Sequence, residues 1–131
     1  MITIFGNSGF IGTNLKNFCI QKKLKIFLPK KNKFKFKKNL GHIIYCIGTG
    51  EAKKKPLKAV KANYEILKYI INNNKFKSLT YLSTTRVYLH NNKTSEKDEI
   101  INDLSDESIL FSLIKLSAEK LCLNIKNKSM I

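Results

Sequence analysis

Apolar positions along this chain fall into two patterns. Short continuous apolar runs alternate with longer stretches in which apolar residues recur every three or four positions. The first pattern fits strands buried on both faces, and the second fits amphipathic helices. Ile2–Phe5 is a short run of the first kind. The stretch after it places Phe10, Ile11, Leu15, Phe18 and Cys19 at helical spacing. A second strand is expected over 24–28, stopped by Pro29. Residues 42–48 (HIIYCIG) form a strongly apolar strand candidate. A helix is predicted over 56–73, with Leu57, Val60, Tyr64, Leu67, Ile70 and Ile71 on one face. Pro56 suits its first turn, where no backbone N–H is needed. Residues 78–83 (SLTYLS) give the next strand, and the polar stretch 90–106 reads as a loop. A second long helix is predicted over 107–126, its core face built from Leu110, Ile114, Ser117, Leu121 and Ile125. Residues 129–131 could open a further strand.

Apolar strands alternating with amphipathic helices imply a parallel sheet covered on both faces. Right-handed crossovers then give an α/β, Rossmann-type doubly wound sheet of about five strands. The chain stops where a sixth would begin. At 131 residues it is expected to form a single domain, 1–131, large enough for a real core. No internal repeat stands out beyond the alternation.

Composition changes this picture little. The formal net charge is +16, yet only Arg86 among 25 basic residues is arginine. A protein reading DNA bases would use more arginine for bidentate contacts. Lysine, asparagine and isoleucine enriched together look instead like a nucleotide-composition bias, so nucleic acid is a distant reading. The charge is uneven: before residue 96 the acids are Glu51 and Glu65, and the other seven fall between Glu96 and Glu119. No apolar run approaches the ~18 residues of a membrane span. The N-terminus lacks a basic n-region and a long apolar h-region, so a cytoplasmic protein is expected. Cys19, Cys46 and Cys122 are widely spaced in apolar surroundings and read as buried free thiols, with no metal-ligand spacing.

The candidate chemistry begins at GNSGFIGTNL, residues 6–15, directly after the first strand. Gly6, Gly9 and Gly12 are three apart. In such a turn one glycine permits the sharp bend and one lets a pyrophosphate approach the backbone. The last lets the helix pack closely on the sheet. The helix N-terminus then offers free N–H groups to the phosphates. Alone the spacing is weak evidence, but here it follows a strand and opens a helix.

GNSGFIGTNL resembles the opening of the extended short-chain dehydrogenase/reductase family, the NAD-dependent epimerase/dehydratases of nucleotide sugars. Three further segments resemble the family in order. HIIYCIGTG is similar to its fourth strand and nucleotide-facing loop, LTYLSTTRVY to its fifth strand, and FSLIKLSAEKL to its active-site helix. The resemblance covers nearly the whole chain. It implies that Gly6, Ser8, Gly9 and Gly12 cradle the pyrophosphate, with Phe10 and Ile11 at the helix start and Gly48 facing the nucleotide. It implies that Thr84 bonds the reacting oxygen and that Lys115 binds the nicotinamide ribose. Asn63 matches a recurrent structural asparagine, and Tyr88 a structural tyrosine.

The sequence also departs from that pattern. Phe111 stands where the family has its proton-transferring tyrosine. No substrate domain is expected within these 131 residues. The thirteen residues between Leu28 and His42 are too few for the usual third strand and its helix, although a strand over 34–36 fits. Past the second strand the chain reads FLPKKNK, with no acid to bind a ribose 2′-hydroxyl. Lys30 and Lys31 there would suit a 2′-phosphate, so the reading leans to NADP over NAD. The expected function is a dinucleotide-binding domain with impaired catalysis and a nucleotide sugar as ancestral substrate. The alternatives are one part of a split enzyme, or a non-catalytic module that dimerises through helices 56–73 and 107–126.

Overall fold

The computed structural model describes all residues except 90, 92–94, 96, 98, 102, 126–127 and 131, with backbone alone for 128–130. Five strands form one parallel sheet: β1 (Ile2–Phe5), β2 (Ile26–Phe27), β3 (His42–Tyr45), β4 (Ser78–Tyr81) and β5 (Lys128–Met130). Their order is β2-β1-β3-β4-β5. The chain leaves β1 for one neighbour and later returns to pair β3 on its other side, so the order reverses at β1. A crevice outside the carboxyl ends of β1 and β3 follows from that reversal.

The α/β doubly wound sheet is therefore as expected, with β2, β3 and β4 shorter than their apolar runs. Pairing stops where the backbone turns toward the crevice, so 46–48 and 82–83 become loop. α1 (Phe10–Gln21) follows β1. The predicted helix 56–73 is continuous but not uniform. It comprises α2 (Pro56–Val60), a π turn (Lys61–Glu65) and α3 (Ile66–Asn73). α4 (Ile109–Leu123) is shorter than the predicted 107–126.

Strand alternation sends Thr3, Phe5, Ile43, Tyr45, Leu79 and Tyr81 to one face of the sheet. Phe5, Ile43, Tyr45, Leu79 and Tyr81 join Leu67, Ile70, Ala118 and Cys122 in the main core, each at most 1% exposed. Ile4 faces the opposite side, where α1 packs on β1. The apolar stripe predicted for α1 is only partly used: Cys19 and Gly12 are buried, while Phe10, Ile11 and Phe18 are exposed.

Three expectations are corrected. No strand forms at 34–36, and loop replaces both the third strand and its helix. The phenylalanines serve the core instead: Phe34 and Phe36 pack their rings 6.5 and 6.4 Å from Phe5, and Phe27 meets Phe36 edge-on at 5.1 Å. Asn74 holds this loop, donating to the Phe34 carbonyl at 2.7 Å and accepting from the Phe36 N–H at 2.8 Å. The buried face of α4 is Phe111, Ser112, Ile114, Lys115, Ala118 and Cys122, while Ser117 is exposed. The helix is thus rotated from its apolar pattern, and polar groups turn inward because they find partners there. On the helix 56–73, Leu57 is exposed and Asn63 is buried in its place among the core positions.

Asn63 marks the π turn. Its Nδ2 donates to the Thr49 and Ala59 carbonyls at 2.9 and 3.0 Å. The carbonyls of Ala62 and Asn63 accept from the hydroxyls of Tyr45 (2.6 Å) and Tyr81 (3.4 Å), which rise from the sheet below. Backbone groups displaced by the wide turn therefore keep partners.

Candidate functional site

The glycine turn lies at the carboxyl end of β1, beside the crevice. Gly6 has φ +82°, a region that favours glycine, and a Cβ there would stand 2.7 Å from the Cys46 carbonyl carbon. The turn is therefore pressed against the end of β3. A Cβ on Gly12 would lie 2.1 Å from the Gly6 oxygen, so α1 can approach only because residue 12 is glycine. Gly9 differs. It caps α1 with φ −80°, it is exposed, and a Cβ there would meet its nearest neighbour at 3.4 Å. The fold therefore leaves room for a side chain at 9, and packing does not require glycine there. No side chain caps α1, which leaves its first-turn amides for an incoming acceptor. Asn7 ties the turn to the loop after β2 by donating to the Pro29 carbonyl at 3.0 Å.

Two cavities flank this turn and share Ile47. The larger, about 680 Å³, is lined by Gly6, Ser8, Lys30 and Lys31 of the sequence-predicted set. The smaller, about 260 Å³, brings together Ile11, Gly48, Thr84, Phe111 and Lys115. Gly9, Phe10 and Gly12 line neither. Gly9 sits at the cap, Gly12 lies buried under the turn, and the Phe10 side chain projects into solvent.

In the smaller cavity Lys115 is 7% exposed and donates from Nζ to the Leu82 carbonyl at 2.7 Å. The ammonium lies 4.7 Å from the Tyr81 ring centre and 6.0 Å from that of Phe111. Burial pulls its pKa down to about 8, against the opposing charge of Glu119. Glu119 also accepts a hydrogen bond from the Ser83 hydroxyl. Thr84 caps the 3₁₀ turn Thr85–Tyr88, its Oγ1 accepting from the Arg86 N–H at 3.2 Å. Its hydroxyl proton is free to be donated elsewhere. Phe111 is 8% exposed and lies under the Arg86 guanidinium at 5.3 Å. Asn63 Oδ1 is buried in the same wall and has no hydrogen-bond partner. Gly48 makes room for it, since a Cβ there would sit 2.8 Å from that oxygen. An unpaired buried acceptor in a cavity wall invites a donor from the cavity.

All three cysteines are free, Cys19 and Cys122 buried as expected and Cys46 half-buried. Burial pushes the thiols of Cys46 and Cys122 up to about 11. Neither is poised as a nucleophile at neutral pH.

The lowered pKa of Lys115 has a consequence for stability. Between about pH 8 and the ordinary 10.5, the unfolded chain holds a proton on this amine that the folded chain has lost. Its contribution therefore makes stability rise with pH through that window. Cys46 and Cys122 act in the opposite direction above pH 9, so the comparison needs a Lys115→Met variant. Wild type should gain stability relative to the variant between pH 8 and 10.5 in urea unfolding. A constant difference would contradict the assignment.

The fold has close counterparts among solved structures. One is an RMD structure from Pseudomonas aeruginosa complexed with NADPH: 20% identity, TM-score 0.68, covering 93% of this chain and 47% of that one. Another is the Bordetella bronchiseptica enzyme WbmG in complex with NAD and UDP: 11% identity, TM-score 0.72, covering 98% and 50%. A third is a tyrosine-to-phenylalanine mutant of UDP-glucuronic acid 4-epimerase from Bacillus cereus, with a fluorinated UDP-sugar and NAD: 18% identity, TM-score 0.65, covering 98% and 54%. This chain shares their Rossmann-type fold. It spans about half the length of these structures. No protein-family model matches the sequence, and no curated protein does. Among the described residues, no helix is long and apolar enough to cross a membrane.

Two features of the site escaped the sequence. Lys58 and Lys61 also line the larger cavity, and nothing distinguishes them from other lysines until the helix is placed. The orphaned Asn63 oxygen depends on the π turn, which leaves no apolar periodicity of its own.

Proposed function

We propose that this chain binds a nicotinamide dinucleotide along the glycine turn, as the cofactor-binding part of a nucleotide-sugar epimerase- or reductase-like protein. One observation carries the reading. The turn stands at the reversal of strand order, with a cavity for each end of such a ligand on either side. The glycines fit a pyrophosphate: Gly6 and Gly12 are required by packing, while Gly9 is left bare toward the crevice. Lys115 would hold the nicotinamide ribose, with the Asn63 oxygen nearby as an acceptor. Lys30 and Lys31 would take the adenosine end and favour a 2′-phosphate. Similar structures hold NADPH or NAD, so the lean to NADP rests on the lysines alone.

The bound nicotinamide would supply hydride chemistry at a sugar carbon. On the protein side, Thr84 can donate its hydroxyl proton to the reacting oxygen, and Lys115 carries a positive charge at neutral pH. Phe111 has no proton to give. Proton transfer by a placed side chain contributes ~10²–10⁴-fold, so turnover is impaired by about that much. Binding need not be: the Bacillus cereus mutant, also lacking a tyrosine hydroxyl, is in complex with NAD and a sugar nucleotide. The test is a titration with NADPH and NADH, followed by nicotinamide fluorescence. Saturable binding of at least one is expected, and a folded sample that binds neither would overturn the reading.

A further inference from the structure

The larger cavity is built from two sides. Its interior is apolar, with Phe34, Ile47 and Ile66 among the lining residues. Phe34 reaches it because the segment between β2 and β3 is a loop folded over the sheet. Four lysines also line it, Lys30 and Lys31 from the loop after β2, Lys58 and Lys61 from the facing helix. No acidic side chain is among the lining residues. Lys58 belongs to α2, and Lys61 opens the π turn. All four lysines are exposed, so their ammonium groups are free to move toward a ligand.

An apolar slot lined by lysines from two separate elements suits a flat base whose ribose bears a phosphate. The pyrophosphate is taken by the glycine turn. The additional charge that these lysines would bind is a phosphate monoester on the adenosine ribose, which carries close to two negative charges at neutral pH. We infer that Lys58 and Lys61 on the helix wall are specificity-determining residues for a 2′-phosphorylated adenosine end, acting together with Lys30 and Lys31. The inference rests on the dinucleotide reading, and it assigns discrimination to an element outside the strand-end loop.

Two adenosine fragments test it, 2′,5′-ADP and 5′-ADP, measured by calorimetry on the whole chain. Wild type should bind 2′,5′-ADP about tenfold or more tightly than 5′-ADP. Lys58→Gln/Lys61→Gln should lower that ratio to about two or less, with 5′-ADP affinity nearly unchanged. Lys68→Gln/Lys75→Gln removes the same charge from exposed residues that do not line the cavity, and should keep the ratio. An unchanged ratio in the first variant would overturn the inference, as would equal loss in the second, which would mean unspecific attraction. If neither fragment binds wild type, the dinucleotide reading falls and takes the inference with it. If 5′-ADP binds but the wild-type ratio is near one, only the inference falls.

Discussion

Gly12→Ala is expected to lower the melting temperature by about 10 °C or more, while Gly9→Ala leaves it almost unchanged. A methyl at 12 would meet the Gly6 oxygen at 2.1 Å, and that oxygen is backbone held in the turn. Relief requires α1 to lift from β1 or the turn to open. Overpacking of this kind costs ~1–3 kcal/mol and more where backbone must move. A domain of this size has ~5–15 kcal/mol to lose, and each kcal/mol shifts its melting point by a few degrees. At Gly9 the same methyl meets the Gly6 oxygen at an ordinary 3.4 Å, and φ is already negative. The cost there should stay within ~0.5 kcal/mol. Thermal melts of the two variants decide it. Equal melting points would mean that the helix is not seated on the turn as described.

Phe111→Tyr should have the largest effect on chemistry. The Phe111 ring lies in the same cavity as Thr84 and 6.0 Å from the Lys115 ammonium. A phenol there gains a proton donor beside a cation. Buried phenols elsewhere in this fold are pushed well above their ordinary range, as burial does at Tyr45 and Tyr81. Below about pH 8, where Lys115 is charged, its ammonium would oppose that rise at position 111. On the proposed reading, the expected gain is ~10²–10⁴-fold in hydride exchange between NADPH and a keto-sugar nucleotide offered as a probe. A second readout needs no substrate. Absorbance titration should show the added phenol ionising at lower pH than Tyr45 and Tyr81. Adding Lys115→Met should abolish the gain in exchange. A new phenol that titrates with the buried pair, and no gain in exchange, would contradict the placement of Lys115.

Much of this arrangement was legible in the sequence, for reasons specific to each element. β1 is buried on both faces and its apolar run is continuous, while β3 and β4 bury Ile43, Tyr45, Leu79 and Tyr81 on one face and are only partly covered on the other, yet all three runs stand out from the polar segments around them. The glycine turn was readable because Gly6 and Gly12 answer to sterics that no other residue satisfies. Lys115, Thr84 and Phe111 were aligned by motif, and the fold does bring them to one cavity. The rest failed where partners outweigh pattern. Phe34 and Phe36 alternate with lysines as a strand would, but their rings gain more by packing on Phe5 and Phe27 than the segment gains by pairing. α4 turns Lys115 and Ser112 inward because the Leu82 and Arg86 carbonyls accept from them, at 2.7 and 3.3 Å. An apolar stripe counts both residues as outward and so rotates the helix. The placement of Lys58 and Lys61 in the cavity wall was hidden by a composition in which lysine is common everywhere.

The central claim is that the crevice at the glycine turn holds a nicotinamide dinucleotide. It is tested most directly by titrating wild type and Gly9→Asp side by side with NADPH and NADH, following nicotinamide fluorescence, after both are shown to fold. The fold leaves room for a Cβ at the exposed Gly9, so the aspartate adds its charge and bulk at the mouth of the turn, where the proposal puts the pyrophosphate. The account predicts saturable binding to wild type, tighter for NADPH, and none to Gly9→Asp. Binding that persists in Gly9→Asp would show that the lysine-rich surface, and not the turn, attracts the ligand; that result, or no binding to folded wild type, would contradict the account.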